Sequence, residues 1–284
     1  MLRPLKQSEF EKYVHFAYDL ALDLRKSSYL TYCDGIKTKT DFIEQARGAF
    51  DRKNEEILLF EYDRVVEGWI HYYAMPEDRY VSFFIFNIRT HADVAVDEVI
   101  EYLARRYHGC RLYFEVSDEN EAVITHLTAL RFFREEEHFF DVFHLNSYQS
   151  SAPVKGVVRI TRKNYTALAG LYEAPDDDMY WKNLRLLAAL ENWNIYLLYE
   201  NGSAVGAIYF GYVDDSVMEI FGTDYVHNRF SSEVFRKLLT HAMKEGKKAG
   251  MKHLVYFTGE NEHPVAVQMG FRLVSRCELY SRDI

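Results

Sequence analysis

One pattern occurs twice in this chain of 284 residues. Gly109-Cys-Arg-Leu-Tyr-Phe-Glu-Val-Ser-Asp-Glu-Asn-Glu121 returns in outline 141 residues later as Gly250-Met-Lys-His-Leu-Val-Tyr-Phe-Thr-Gly-Glu-Asn-Glu262. In each copy a charged helix stops at a glycine, an aromatic and β-branched run follows, and Glu-Asn-Glu opens another helix. The glycine supplies a left-handed helix stop, the branched run fits a pleated strand, and the Asn-containing tripeptide suits a helix start. Three signals of separate physical origin at matched spacing mean one fold present twice. The function is to be sought in the repeated unit.

The offset divides the chain into two domains, 1–145 and 154–284, each long enough to bury its own core. Between them Asn146-Ser-Tyr-Gln-Ser-Ser-Ala-Pro153 is polar and poor in core residues, which marks 146–153 as a linker. Hydrophobic residues at 48% and aromatics at 16% exclude a disordered or fibrous chain, and no apolar run approaches a membrane span. Cys33, Cys110 and Cys277 are too few and scattered for a disulfide framework, and the N-terminus lacks the apolar core of a signal peptide. A cytoplasmic protein without a membrane partner is expected. The net charge of −9 falls wholly in residues 1–150, where 18 Lys+Arg face 27 Asp+Glu. That surface repels phosphate backbones, so nucleic acid is not an expected partner, whereas an amine or cationic peptide is compatible with it.

Hydrophobic spacing gives both copies the same element order. The first opens with a strand at 2–5 and an amphipathic helix carrying Phe10, Tyr13, Val14, Ala17, Leu20 and Leu24 on one face. A second helix over 40–52, capped by Thr40 or Asp41, leads to strands at 56–62, 66–74 and 80–88. A helix at 92–107, a strand at 111–116, a helix at 119–132 and a strand at 137–145 complete it. The second copy repeats this with a strand at 157–160, helices at 163–173 and 179–190, and strands at 195–199, 204–213 and 217–225. A long helix at 232–248, a strand at 252–257, a short helix at 260–269 and a strand at 272–280 follow. The predicted fold class is mixed α/β (α+β), each copy a central, mostly antiparallel sheet flanked by helices.

That order, with Asn261 and Gly270-Phe271, resembles the GNAT superfamily of N-acetyltransferases, whose members share a pattern like Asn-x-x-Ala-x-x-x-Tyr-x-x-x-Gly-Phe. The second copy keeps Asn261 and Gly270-Phe271 with a shorter interval and Pro264 inserted, and the first keeps the spacing from Asn120 but has Arg131 for the glycine. The resemblance covers both copies. It implies two tandem acyl-CoA N-acyltransferase folds, with acetyl-CoA as acyl donor, no metal, and a small amine or peptide amino group as acceptor.

The family holds the CoA pyrophosphate on a Gln/Arg-x-x-Gly-x-Gly/Ala loop, because small residues let phosphate reach backbone N–H groups at a helix start. The first copy has Arg89-Thr-His-Ala-Asp-Val94 there, and the second, within Arg229-Phe-Ser-Ser-Glu-Val-Phe235, has no glycine. The resemblance then places the pyrophosphate near Ser231, Ser232, Glu233 and Val234, and the pantetheine along Tyr225, Val226 and His227, with Asn261 nearby. Ser231 and Ser232 also read, and more simply, as plain helix caps. On this reading the first copy is a degenerate scaffold.

Acyl transfer to an amine needs a base and an acid for the departing thiolate. The family's carboxylate on the central strand corresponds to Glu219, which reads equally as the polar face of a half-exposed strand, while the first copy offers Asn87 in the related strand. The family's thiolate-protonating tyrosine falls near Ala266 and Leu127, with His263 and His126 as neighbouring substitutes. The acceptor groove would be bordered in the second copy by Glu173-Ala-Pro-Asp-Asp-Asp-Met-Tyr-Trp181. There Asp176, Asp177, Asp178, Tyr180 and Trp181 suit a cation by charge and ring contacts, or start a helix. No HExxH, Cys/His pair at metal spacing or GxSxG occurs. The rival expectation is a catalytically inactive tandem protein that binds a ligand or partner.

Overall fold

The computed structural model describes residues 1–28, 30–149, 153–169, 171 and 183–284. The chain forms two compact units: Met1–His138 with Val274–Ile284, and Phe139–Leu273. The terminal strands predicted at 137–145 and 272–280 therefore do not stay with the sequence halves that carry them.

Unit 1 runs β1 (Leu2–Pro4), α1 (Phe10–Ala21), α2 (Lys39–Gly48), β2 (Glu55–Tyr62), β3 (Val65–Met75), β4 (Tyr80–Ile88), α3 (Ala92–Arg106), β5 (Arg111–Ser117) and α4 (Glu121–Ala129). After it come β6 (Phe133–His144), β7 (Val157–Arg159), α5 (Thr166–Ala169), α6 (Asn183–Ala188), β8 (Asn194–Glu200), β9 (Ser203–Tyr212) and β10 (Val217–Tyr225). The chain ends with α7 (Ser232–Lys248), β11 (His253–Thr258), α8 (His263–Gln268) and β12 (Arg272–Asp283). Strand order in unit 1 is β1-β2-β3-β4-β5-β12, and in unit 2 β7-β8-β9-β10-β11-β6, with β4–β5 and β10–β11 the parallel pairs. The second half of β6 closes unit 2 by pairing residues 139–144 antiparallel with β11. The last strand, β12, closes unit 1, with Cys277 to Asp283 opposite Ser117 to Arg111.

Each sheet buries both faces. In unit 1 Phe10, Val14, Ala17 and Ala21 of α1 cover Leu59, Trp69 and Ile85 on one face, and Val96, Val99 and Leu103 of α3 cover Leu58, Phe60 and Ile70 on the other. In unit 2 the three- and four-residue spacing of Val234, Phe235, Leu238, Leu239, Ala242 and Met243 puts a continuous apolar stripe of α7 against Ile208, Phe210 and Met218. Each of the larger side chains in this stripe contributes about 1.5–3 kcal/mol on burial.

Among the helix starts that differ from the sequence reading, two concern the expected capping residues. Thr38, not Thr40 or Asp41, caps α2: its hydroxyl accepts the Asp41 N–H while the Asp41 carboxylate accepts the Thr38 N–H, a reciprocal capping box. Asn120 caps α4, but α8 starts only at His263, so the matching Asn261 stays exposed in a turn.

Candidate functional site

In both units the parallel pair parts company. β10 and β11 are in register only from Val217↔His253 to Ile220↔Tyr256, although both run further, and β4 and β5 share only Tyr80↔Arg111 and Val81↔Leu112. A bulge accompanies each divergence. Phe221 is the extra residue between Ile220↔Phe210 and Gly222↔Tyr209, and Phe84 is its counterpart between Phe83↔Tyr72 and Ile85↔His71. An extra residue in one strand bends it and increases its twist, which carries β10 and β4 away from their parallel neighbours.

The bulge decides which carboxylates face the side covered by α5 and α6. Met218 and Ile220 point into the α7 core, so half-buried Glu219 points the other way, in register with Gly211 and Val255. In a regular strand Asp224, five residues on, would face α7. The extra residue returns it to the Glu219 side, where the Tyr209 hydroxyl donates to its carboxylate. Burial pushes the Asp224 carboxyl above its ordinary range, moderated by that hydrogen bond, and the charge of Glu262 pushes it further up. Sequence reasoning passed over Asp224. The Phe221-Gly222 step inside a strand pattern was the available signal, since glycine there marks a bulge. The exposed Phe221 ring lies edge-on to Trp193, with centroids 4.9 Å apart.

On the opposite face the divergence is spanned by Glu262. Its carboxylate accepts from Thr223 and Tyr225 (3.1 Å) on β10, from Tyr256 (2.8 Å) on β11, and from the Gly259 N–H (3.2 Å). Burial raises the pKa of both tyrosines well above the usual phenol value, and Glu262 raises them further. Two phenols thus stand at the opening, contributed by strands and not by the helix where the sequence comparison sought one. His263 is turned away toward β6: its Nδ1 lies 2.8 Å from Asp141, its ring stacks on Phe139 at 4.2 Å, and Asp141 also accepts from Thr258 at 2.5 Å.

The remaining sequence candidates are distributed as follows. Tyr225 is buried, while Val226 and His227 are exposed in a short 3-10 turn with His227 in the left-handed region at φ 57°. The Ser231 hydroxyl accepts the Val234 N–H (3.4 Å) as an N-cap, Ser232 and Glu233 are exposed at the start of α7, and Val234 is buried. Glu233 pairs with Lys237 at 2.7 Å, and Lys237 also reaches Glu200 at 2.6 Å. Arg229 is exposed beside this helix start. Asp176, Asp177, Asp178, Tyr180 and Trp181 lie outside the described residues. Among those described, no cluster of three His, Cys, Asp or Glu is placed to hold a metal, and no helix is long and apolar enough to cross a membrane.

Unit 1 has the same geometry with different groups. By register Asn87 is the counterpart of Asp224, and Ser82 is the counterpart of Glu219. Asn87 is fully buried and donates to the Ala17 carbonyl at 3.1 Å. Arg89, the motif arginine, is held by Glu67 at 2.7 and 2.8 Å, and Thr90 donates to the same carboxylate at 2.8 Å. A cleft of about 650 Å³ between the starts of α3 and α4 carries Asp93 and Glu121 with His91 and His126.

Similarity to solved structures extends over the whole chain. A GCN5-related N-acetyltransferase from Sphaerobacter thermophilus superposes with a TM-score of 0.67 at 10% identity, covering 100% of this chain and 95% of that one. A tandem GNAT protein from the clavulanic acid biosynthesis pathway gives 0.57 at 13% identity over 100% and 98%. The chain has a tandem GNAT fold. An acetyltransferase of the GNAT family from Colwellia psychrerythraea gives 0.52 at 11% identity over 99% of each chain. No family model and no curated protein matches the sequence.

Proposed function

We propose that this tandem GNAT-fold protein is a cytoplasmic acyl-CoA-dependent N-acyltransferase in which unit 2 takes acetyl-CoA and acylates a small amine or peptide amino group. The observation that carries the reading is the placement of Glu219 and Asp224 on one face, on either side of the Phe221 bulge, where β10 parts from β11. In the reaction the acceptor ammonium first loses a proton to a carboxylate. Its nitrogen then attacks the thioester carbonyl, a C–N bond forms, the C–S bond breaks with its electron pair going to sulfur, and the second proton shed by the nitrogen ends on the departing thiolate, which leaves as the free thiol. A base works best when its pKa approaches the working pH, which favours Asp224 with its burial-raised carboxyl, with Glu219 as the partner that attracts the ammonium.

The start of α7 suits the donor's pyrophosphate. A helix of 17 residues ends its dipole there, Ser232 and Arg229 are exposed, and Glu233 is paired with Lys237, which it shares with Glu200. Residues 223–225 and Asn261 would line the pantetheine. Asp176, Asp177, Asp178, Tyr180 and Trp181 would receive the cationic acceptor. The test is release of free thiol from acetyl-CoA by the full chain against a panel of amines. Asp224→Asn and Glu219→Gln should each lower turnover by about 10²-fold, with acetyl-CoA affinity retained. A second reading, an inactive ligand- or partner-binding protein, is favoured by the missing loop glycines and by Glu262 standing across the opening. Absence of thiol release with every amine would support it.

A further inference from the structure

Past Val81, no strand among the described residues pairs with β4 on the side facing β5, so the backbone N–H groups of Phe86 and Ile88 would be buried and unpaired there. They are paired by the chain itself. The Phe86 N–H donates to the Ser28 hydroxyl at 2.8 Å, and the Ile88 N–H donates to the Lys26 carbonyl at 2.9 Å. Between these contacts the Ser27 carbonyl accepts from the Asn120 side-chain amide at 3.2 Å. Ser27 is 0% exposed, Ser28 4% and Asn120 2%. Asn120 is the residue that carries the family pattern in the first copy, and both ends of its side chain are committed, to Ser27 and to the Val123 N–H. In the core beneath α3, Phe83 and Phe86 pack on Phe114, with centroids 4.5 and 5.2 Å apart.

We propose that residues 26–28 are the permanent occupant of the opening in unit 1. The Lys26 carbonyl and the Ser28 hydroxyl take the N–H groups of Ile88 and Phe86 that an amide ligand would otherwise pair with, so unit 1 does not admit the pantetheine arm of acyl-CoA. It follows, resting on the function proposed above, that any acyl-CoA the protein takes up is held by unit 2. The two openings differ in the character of what occupies them. In unit 1 it is a chain segment, with Ser27 and Ser28 buried, tied at three points, and in unit 2 a half-buried side chain, Glu262, reaches across.

Amide hydrogen exchange by NMR on the full chain tests this. Phe86 and Ile88 should exchange slowly, and saturating acetyl-CoA should leave both rates unchanged. Ser28→Ala removes the acceptor of Phe86, whose exchange should rise by about tenfold or more with a smaller rise at Ile88, and Ser28→Thr should restore protection. Unprotected Phe86 and Ile88 amides in the parent, or an acetyl-CoA-dependent rate at either, would overturn the proposal. Should Ser28→Ala unfold unit 1, the parent with and without acetyl-CoA decides alone. If no acetyl-CoA binds anywhere while both amides stay protected, the closure stands and the donor assignment to unit 2 falls.

Discussion

The Tyr256 hydroxyl donates to the Glu262 carboxylate at 2.8 Å, from the last position at which β10 and β11 are still in register. The same carboxylate reaches Thr223 and Tyr225 on the far side, so an extended ligand entering this opening must displace Glu262. Hydrogen bonds to a charged group are worth about 1.5–3 kcal/mol, so removing the side chain should tighten binding by about tenfold or more. Glu262→Ala is therefore expected to bind acetyl-CoA more tightly than the parent by calorimetry, with Glu262→Gln between them. Weaker binding by Glu262→Ala would make Glu262 a ligand contact and not an obstacle.

Asp224 supplies a pH-dependent prediction. Its folded pKa is raised, so the protonated acid is the form the fold favours, and the associated stability is present below the unfolded value of about 3.9 and lost as pH rises through the folded value. Asp224→Asn keeps an acceptor for Tyr209 and does not titrate. Its melting temperature relative to the parent should climb as pH rises from about 4, then level off above the folded pKa of Asp224. A difference independent of pH would show that Asp224 is not a strained buried acid.

Much of the sheet was legible because its strands are aromatic and β-branched runs between clear turns. The predicted limits of β4, β10 and α7 match the structure at 80–88, 217–225 and 232–248. What escaped has local causes. A one-residue bulge leaves composition unchanged yet inverts the facing of everything after it, which concealed Asp224. The predicted α8 began three residues early because Glu-Asn-Glu was read alike in both copies, whereas in the second the Glu262 side chain is committed to Tyr256 and Gly259. The polar tripeptide 26–28 carried no sign of burial, since only the unpaired edge of a distant strand gives it a place. Nor does alternation in β6 and β12 state which sheet each strand joins.

Gly68 and Gly206 hold equivalent places on β3 and β9, opposite Ile88 and Tyr225. A Cβ at Gly68 would clash with the Ile88 Cδ1 and stand 3.1 Å from the Asn87 carbonyl, and one at Gly206 would stand 2.6 Å from the Val234 Cγ1 and 3.1 Å from the Asp224 carbonyl. The carbonyls cannot yield without moving β4 or β10. Overpacking of this kind costs about 1–3 kcal/mol, so Gly68→Ala and Gly206→Ala should each lower the denaturation midpoint. An unchanged midpoint in either would show that the sheet relaxes freely there.

The last strand gives the strongest test of how the chain is divided. β12 pairs seven residues with β5 and contributes buried Cys277, Tyr280 and Ser281, and at its end the Gly109 N–H donates to the Ile284 carbonyl at 2.6 Å. Removing residues 274–284 would leave β5 unpaired on that side, strip Tyr280 from the core and expose Phe114 and Val116. Loss of one large buried aromatic alone costs about 3–5 kcal/mol, against a typical domain stability of about 5–15 kcal/mol. Unit 2, by contrast, is one continuous stretch, Phe139–Leu273, and contains every strand its sheet needs. A chain ending at Leu273 should therefore lose amide protection in α3, β4 and β5 while β9, β10 and α7 keep theirs. Loss of protection in α7, with α3 intact, would instead assign β12 to the unit formed by the second half of the sequence.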